Sequence, residues 1–198
     1  MNARKTAIAR ADIIPLDQYA KERAARRKAL VEVKKNRRVS VGPFATFYFE
    51  NYETMWQQIH EMLFIEKGGE AQIEDELRAY NPLIPKGNEL VATVMFEIDD
   101  PARRAAALGR LGGVENSLTL RVAGHTVTGR PDDDVERTNE QGKTSSVHFV
   151  HFAFTPEQIA AFRQPGTEVV VGIAHPNYGH MAVMPEAVRA ALAEDFAD

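Results

Sequence analysis

The most specific arrangement of chemically active side chains is the segment His175-Pro176-Asn177-Tyr178-Gly179-His180, between two runs of strand-forming residues. If Pro176–Gly179 form a four-residue hairpin loop, His175 and His180 are cross-strand partners with Cβ atoms roughly 5 Å apart. Two imidazoles at that spacing can bind a transition metal such as iron, zinc or manganese, or one can position the other for proton transfer. The alternative is a turn with incidental histidines, because sequence sets the register of such loops weakly.

Two more histidines lie on a predicted strand over residues 147–154. His148 shares a face with Phe152, whereas His151 lies on the opposite face, because neighbouring side chains of a strand alternate. One of the two can therefore face the pair His175 and His180 if their strands are neighbours. A histidine satisfied within the core is the alternative interpretation for either residue.

A second set of candidate site residues consists of four carboxylates: Glu50, Glu61, Glu66 and Glu97. Glu50 and Glu97 lie within apolar, strand-forming runs, where burial raises the pKa of a carboxyl group or requires a cationic partner. The basic candidates for such pairs are Arg23, Arg37 and Arg38. We interpret the set as a structural salt-bridge network, and an anion, metal or cofactor pocket is the alternative.

Glu66 lies on the apolar face of a predicted helix that Asn51 caps. It falls in the last turn, where the helix dipole disfavours an anion. Glu66 therefore either bends out to solvent or is held inside a polar network.

The composition excludes several classes of chemistry. The chain has no cysteine, so disulfides, thiolate catalysis and cysteine-ligated clusters are excluded. Phosphate-binding glycine loops, nucleophile elbows and the His-Glu-x-x-His zinc motif are also missing from the sequence. No segment approaches the roughly 20 apolar residues of a membrane span, and we expect no signal sequence and a cytoplasmic location.

The net charge of −4 conceals an asymmetry along the chain. Residues 1–38 hold 12 of the 24 lysines and arginines and four acidic residues, so this segment carries +8 and the remainder −12. Such asymmetry indicates a basic arm for an anionic partner or a segment docked on an acidic body. Nucleic-acid binding by residues 21–38 is the weaker hypothesis, because no aromatic residues lie between the basic ones. Pairing with the acidic body or with a second subunit, in a homodimer, is favoured.

The periodicities predict an α+β protein with a mainly antiparallel sheet, on which an N-terminal basic helix and a helical hairpin pack. We expect residues 1–38 to form the basic helical segment and residues 39–198 a single α+β domain. The predicted helices cover residues 16–35, 52–66, 70–80, 102–111, 156–162 and 185–196. The predicted strands cover residues 39–49, 88–98, 117–122, 125–128, 147–154, 168–175 and 180–184, and residues 130–146, with a triple aspartate at 132–134, form a polar excursion.

Several motifs resemble a bacterial family known as a domain of unknown function, DUF3501. They are Phe49-Glu50-Asn51, Gln58-Ile59-x-Glu61-Met62, Glu66, Tyr80-Asn81-Pro82-Leu83-Ile84-Pro85, Asn88-Glu89-Leu90 and His175-Pro176-x-Tyr178, together with Tyr19, Arg23, Arg37 and Arg38. The resemblance implies a cytoplasmic bacterial protein linked with rubrerythrin-type and iron–sulfur redox partners in oxidative-stress settings. It implies no catalytic residues.

The leading functional hypothesis is a non-catalytic accessory or interaction protein of a redox or stress pathway. The main alternative is a metal-dependent or haem-associated oxidoreductase or hydrolase. That enzyme would use His175, His180 and either His148 or His151, with Glu61 or Glu66 nearby. RNA binding by the basic helix is the third hypothesis.

Overall fold

The computed structural model describes residues 5–132 and 143–197 and confirms the predicted α+β class. The described residues form six helices: α1 (Leu16–Lys35), α2 (Tyr52–Glu66), α3 (Glu70–Tyr80), α4 (Pro101–Leu108), α5 (Pro156–Arg163) and α6 (Glu186–Ala193). They also form nine strands: β1 (Arg38–Val41), β2 (Ala45–Phe49), β3 (Glu89–Phe96), β4 (Leu118–Val122), β5 (His125–Thr128), β6 (Arg130–Pro131), β7 (Val147–Ala153), β8 (Val169–His175) and β9 (Tyr178–Val183).

The strands build two antiparallel sheets that share one apolar core. The first sheet has the order β1-β2-β3-β7-β6, and the second has the order β5-β4-β8-β9. Alternate side chains of β4 and β7 are buried in the core, as the pleat of a half-buried sheet requires. Phe47, Val94 and Phe152 of the first sheet belong to the same buried cluster as Leu120 and Val171 of the second.

A helical layer covers the other face of the first sheet. Its buried cluster contains Met55, Ile59 and Leu63 of α2, which recur at the spacing of one helical face, together with Val91 of β3. The N-terminal segment joins this layer, since Ile8 is buried in the same cluster. Asn81 fixes that segment by donating to the carbonyl of Ile8 at 2.9 Å and accepting from its N–H at 2.7 Å.

Residues 38–49 form a hairpin rather than the single strand that was predicted. β1 and β2 pair with each other through the register Val39 to Phe47, and a turn at residues 42–44 separates them. Gly42 has a φ of +70°, a conformation that favours glycine. The phenol of Tyr178, which is buried in the second sheet, accepts from the N–H groups of Phe44 and Ala45 and donates to the carbonyl of Val41.

The predicted excursion at residues 130–146 is described only at its ends. Arg130 and Pro131 pair with β7, and Asp133 and Asp134 of the triple aspartate lie outside the described residues. In residues 5–132 and 143–197, no helix is both long and apolar enough to cross a membrane.

Candidate functional site

The first polar site joins α1 to α2 and contains the predicted salt bridge of Glu61. Arg23 donates to both carboxylate oxygens of Glu61, from Nε at 2.9 Å and from Nη2 at 2.8 Å. Tyr19, fully buried on α1, donates to the same carboxylate at 2.6 Å. The Arg23 guanidinium lowers the pKa of Glu61 to about 2, and burial together with Glu61 raises the pKa of the Tyr19 phenol.

An aromatic cluster lies beside this salt bridge. The ring centroids of Trp56 and His60 are 3.7 Å apart, and Arg26 lies over the Trp56 ring at 4.5 Å. The N–H of Ile14 donates to His60 Nε2, so Nδ1 is the ring nitrogen that donates, to the carbonyl of Trp56. Burial also lowers the pKa of His60, in the same direction as the acceptor role of Nε2, which requires the neutral ring.

Glu50 takes a different partner from the one predicted. Its side chain is buried, and Oε1 accepts a hydrogen bond from the Thr93 hydroxyl at 2.6 Å. Arg37 lies nearby but donates to the backbone carbonyl of Glu50 instead, at 3.0 Å. The expected arginine–carboxylate pair at Glu50 is therefore wrong, because the register of the first sheet places Thr93 of the neighbouring strand within reach.

Arg37 instead forms an ion pair with Asp195, and both side chains are about 95% buried (5% and 6% exposed). The guanidinium also donates from Nε to the carbonyl of Phe49 at 2.9 Å. The sequence analysis missed Asp195, because 158 positions separate the two residues and no local pattern marks the acidic partner. These two residues line an open cleft of about 710 Å³ between the start of α2 and α6.

The remaining carboxylates are not part of an arginine network. Glu66 is exposed at the last turn of α2, where it accepts from Gln72 at 2.8 Å. Glu97 is exposed and accepts from the Tyr48 hydroxyl at 2.8 Å, and Arg38 is exposed on β1. The predicted burial or arginine pairing of Glu97 is wrong, because β3 ends at Phe96 and leaves the next side chain in solvent.

His175 and His180 are not the cross-strand pair that was predicted. His175 pairs with Tyr178 and His180 with Ile173, so the hairpin loop has only two residues. Pro176 suits the second position of such a tight turn, and Asn177 fixes it by donating from Nδ2 to the carbonyl of Arg110 at 2.8 Å. His175 points elsewhere, with Nε2 at 3.2 Å from the carbonyl of Gly112.

The other two histidines lie on opposite faces of β7, as predicted. His148 is buried, with Nε2 at 2.9 Å from the carbonyl of Ser145, and His151 bonds to Glu89 at 3.0 Å. The described residues contain no group of three or more His, Asp or Glu side chains placed to hold a metal ion. The described structure thus does not bring three or more of the proposed ligands His175, His180, His148 and His151 together at one point.

A second cavity lies between the helical layer and the outer face of the first sheet. Its volume is about 340 Å³, and Glu50, Gln58 and Tyr80 are among its lining residues. All three belong to the motifs singled out in the sequence, but Thr93 and Phe149 complete the wall from β3 and β7. Only the strand register reveals those two, because it places Tyr48, Thr93 and Phe149 in one row across three strands.

Comparison with known proteins identifies a family and a solved structure that are similar to this chain. A family model described as "Protein of unknown function (DUF3501)" matches residues 7–196. A crystal structure of a novel protein of unknown function from Burkholderia pseudomallei K96243 is similar with a TM-score of 0.89 and 38% sequence identity. That match covers 96% of this chain and 100% of the other. A search of curated proteins gave no significant match.

Proposed function

We propose a function for a chain that belongs to the DUF3501 family: it is a non-catalytic accessory protein that binds an acidic partner protein through α1. One observation supports this proposal above the others. Four basic side chains along α1 and the start of β1 are exposed and form no ion pair within the described part of the chain: Arg27, Lys28, Lys34 and Arg38. A protein with a net charge of −4 thus presents a local positive surface, which we call the basic face.

The basic face is held in place before any partner binds. The bidentate bond from Arg23 to Glu61 and the buried Tyr19 fasten α1 along α2. A preformed surface loses less conformational entropy on binding than a disordered arm does. This arrangement supports docking of a partner on the exposed side of α1.

The partner we propose is a redox protein of the rubrerythrin or iron–sulfur type, acting in an oxidative-stress pathway. That assignment rests on the family resemblance, and the charge of the basic face is consistent with an acidic partner surface. Complementary charges raise association rates and favour correct partners more than they raise affinity. Binding of this kind weakens steeply as salt is added.

The test is a binding titration between this protein and the purified rubrerythrin-type protein of the same bacterium. We expect saturable binding at low ionic strength that weakens with salt. The double variant Arg27→Glu/Lys28→Glu should bind at least about tenfold more weakly, because two attractive charges become repulsive.

A matched control changes the net charge by the same amount on α4 and the turn that follows it. Arg103→Glu/Arg110→Glu should bind like the wild type, since both residues are exposed and far along the chain from α1. Absence of binding at low salt, or equal loss in both double variants, would refute the proposal. Retention of single-stranded RNA through Arg27 and Lys28, without binding to the redox protein, would support the RNA hypothesis instead.

We further propose that the protein is a homodimer, as the charge asymmetry suggested. Light scattering coupled to gel filtration tests this directly, by comparing the measured mass with the 22.1 kDa of one chain. A mass that stays at one chain across concentrations would exclude the dimer.

A further inference from the structure

The cavity of about 340 Å³ between the helical layer and the first sheet contains a buried carboxylate that the fold leaves only partly bonded. Glu50 is 7% exposed, and it lines this cavity. Within the described residues, its carboxylate accepts one hydrogen bond, from Thr93 to Oε1, and Oε2 has no partner. Oε2 is not one of the fully buried atoms without a partner in the described residues, so it meets solvent in the cavity, and a ligand that supplies a donor or a positive charge can bond it there.

The walls of the cavity can accommodate the apolar part of a small molecule. The rings of Phe149 and Tyr80 line it together with the thioethers of Met55 and Met95. Most of the lining surface is apolar, although several lining residues carry polar groups. One of them, Gln58, donates from its amide to the Tyr80 hydroxyl at 3.4 Å. A small, mostly apolar pocket with a few directed polar groups is the usual form of a site for a small molecule.

We propose that this cavity binds a small organic amine. The protonated amine donates to Oε2 of Glu50, and the apolar or aromatic body of the ligand packs against Phe149 and Tyr80. Charge-assisted hydrogen bonds of this kind are about twice as strong as neutral ones, so Glu50 determines which molecules bind. This site meets the basic face at Lys34, and it goes beyond the role of the protein as an accessory factor.

Lys34 adds a second element of specificity. Its side chain lines the same cavity but is exposed, whereas Glu50 is buried. The enclosed part of the cavity is therefore anionic, and its open part carries a cation. An amine with a carboxylate at its other end matches both charges, so it binds more tightly than the amine alone.

The test uses three probes that share one ring: benzylamine, para-aminomethylbenzoate and para-methylbenzoate. Calorimetric titration of the wild-type protein should show binding of the two amines, tightest for para-aminomethylbenzoate, and none of para-methylbenzoate. Glu50→Gln keeps the shape of the side chain but removes its charge, so both amines should bind at least about tenfold more weakly. Lys34→Ala should weaken the binding of para-aminomethylbenzoate but not the binding of benzylamine.

The matched control is Glu97→Gln, because Glu97 accepts from the hydroxyl of Tyr48, a lining residue, but does not itself line the cavity. This variant should bind both amines as the wild type does. Amide chemical shifts of the wild-type protein give a second measurement that needs no variant, and benzylamine should perturb Thr93 and Gln58. The proposal is overturned if no amine binds, if Glu50→Gln binds as tightly as the wild type, or if the perturbed amides lie elsewhere.

Discussion

At the scale of single residues, the partner of each carboxylate decides what that carboxylate does. Glu61 and Glu66 lie five positions apart on α2 and have the same side chain. Glu61 accepts from Arg23 and Tyr19, whereas Glu66 is exposed at the end of the helix. The stability of the junction between α1 and α2 therefore depends on Glu61 rather than on the acidic residues in general.

Replacing Glu61 tests that dependence. We expect Glu61→Gln to lower the free energy of unfolding at neutral pH by about 1–3 kcal/mol, because Arg23 and Tyr19 lose a charged acceptor. The matched change Glu66→Gln should stay within about 0.5 kcal/mol of the wild type. Urea unfolding followed by circular dichroism measures both, and equal effects of the two substitutions would contradict this role of Glu61.

The same carboxylate predicts how stability depends on pH. The pKa of Glu61 falls from 4.5 to about 2 in the folded protein. A depressed folded-state pKa gives stability that is complete above the unfolded-state pKa and is lost as the pH falls from 4.5 towards about 2. The loss is on the order of 1–2 kcal/mol once solvent screening is included. Urea titrations across that range should show a smaller loss in Glu61→Gln than in the wild type.

At the scale of elements, the hairpin of β1 and β2 is held by a side chain of the other sheet. The Tyr178 hydroxyl satisfies two N–H groups and one carbonyl of the turn, at 3.1, 3.0 and 2.7 Å. A side chain at Gly42 would meet the same phenol, since an added Cβ lies 2.7 Å from its oxygen. The turn and the phenol thus form one unit that joins the two sheets.

Removing the Tyr178 hydroxyl should therefore destabilise the protein more than removing a comparable hydroxyl elsewhere. We expect Tyr178→Phe to lower the free energy of unfolding by about 2–4 kcal/mol, because two N–H groups and one carbonyl of the turn lose their hydrogen-bond partner. Tyr48→Phe is the control, since the Tyr48 hydroxyl donates to the exposed Glu97, and this change should lower the free energy of unfolding by less than about 1 kcal/mol. Thermal unfolding compares them, and equal melting temperatures would count against the proposed role of Tyr178.

Elements with their own periodicity were predictable from sequence, and pairings between elements were not. α1 was predicted with its observed bounds, because a long polar helix with a proline before it carries local signals at each end. The hairpin of β1 and β2 was predicted as one strand. The predicted cross-strand pairing of His175 with His180 was wrong, because the register of their hairpin differs from the one that was assumed. A turn of two or of four residues fits the same strand pattern, and only contacts such as Asn177 to Arg110 decide between them.

The residues that line the candidate cavity were likewise predictable from sequence only in part. Glu50, Gln58 and Tyr80 were recognised as parts of distinctive motifs, and all three line it. Nothing in the sequence marks Thr93 and Phe149 as residues of a binding site, since both are typical strand-forming residues within predicted strands. Their place in the site follows from the pairing of β3 with β7.

At the scale of the whole molecule, the pair of Arg37 and Asp195 joins segments from opposite ends of the described chain. Removing one partner of a buried ion pair leaves an uncompensated charge. We expect Asp195→Asn to lower the free energy of unfolding by about 3–5 kcal/mol. The adjacent Glu194 is exposed, so Glu194→Gln should have little effect. Urea unfolding measures both free energies. A small effect of Asp195→Asn would contradict the prediction, because the buried charge of Arg37 would then not depend on Asp195.

That long-range pair also has a consequence for biosynthesis. The ribosome delivers Asp195 158 residues after Arg37, which takes on the order of ten seconds at usual translation speeds. Until then the guanidinium remains hydrated, because burying it without a counter-charge is unfavourable. The ion pair can therefore form only at the end of synthesis, so the segment around the first hairpin completes its packing late.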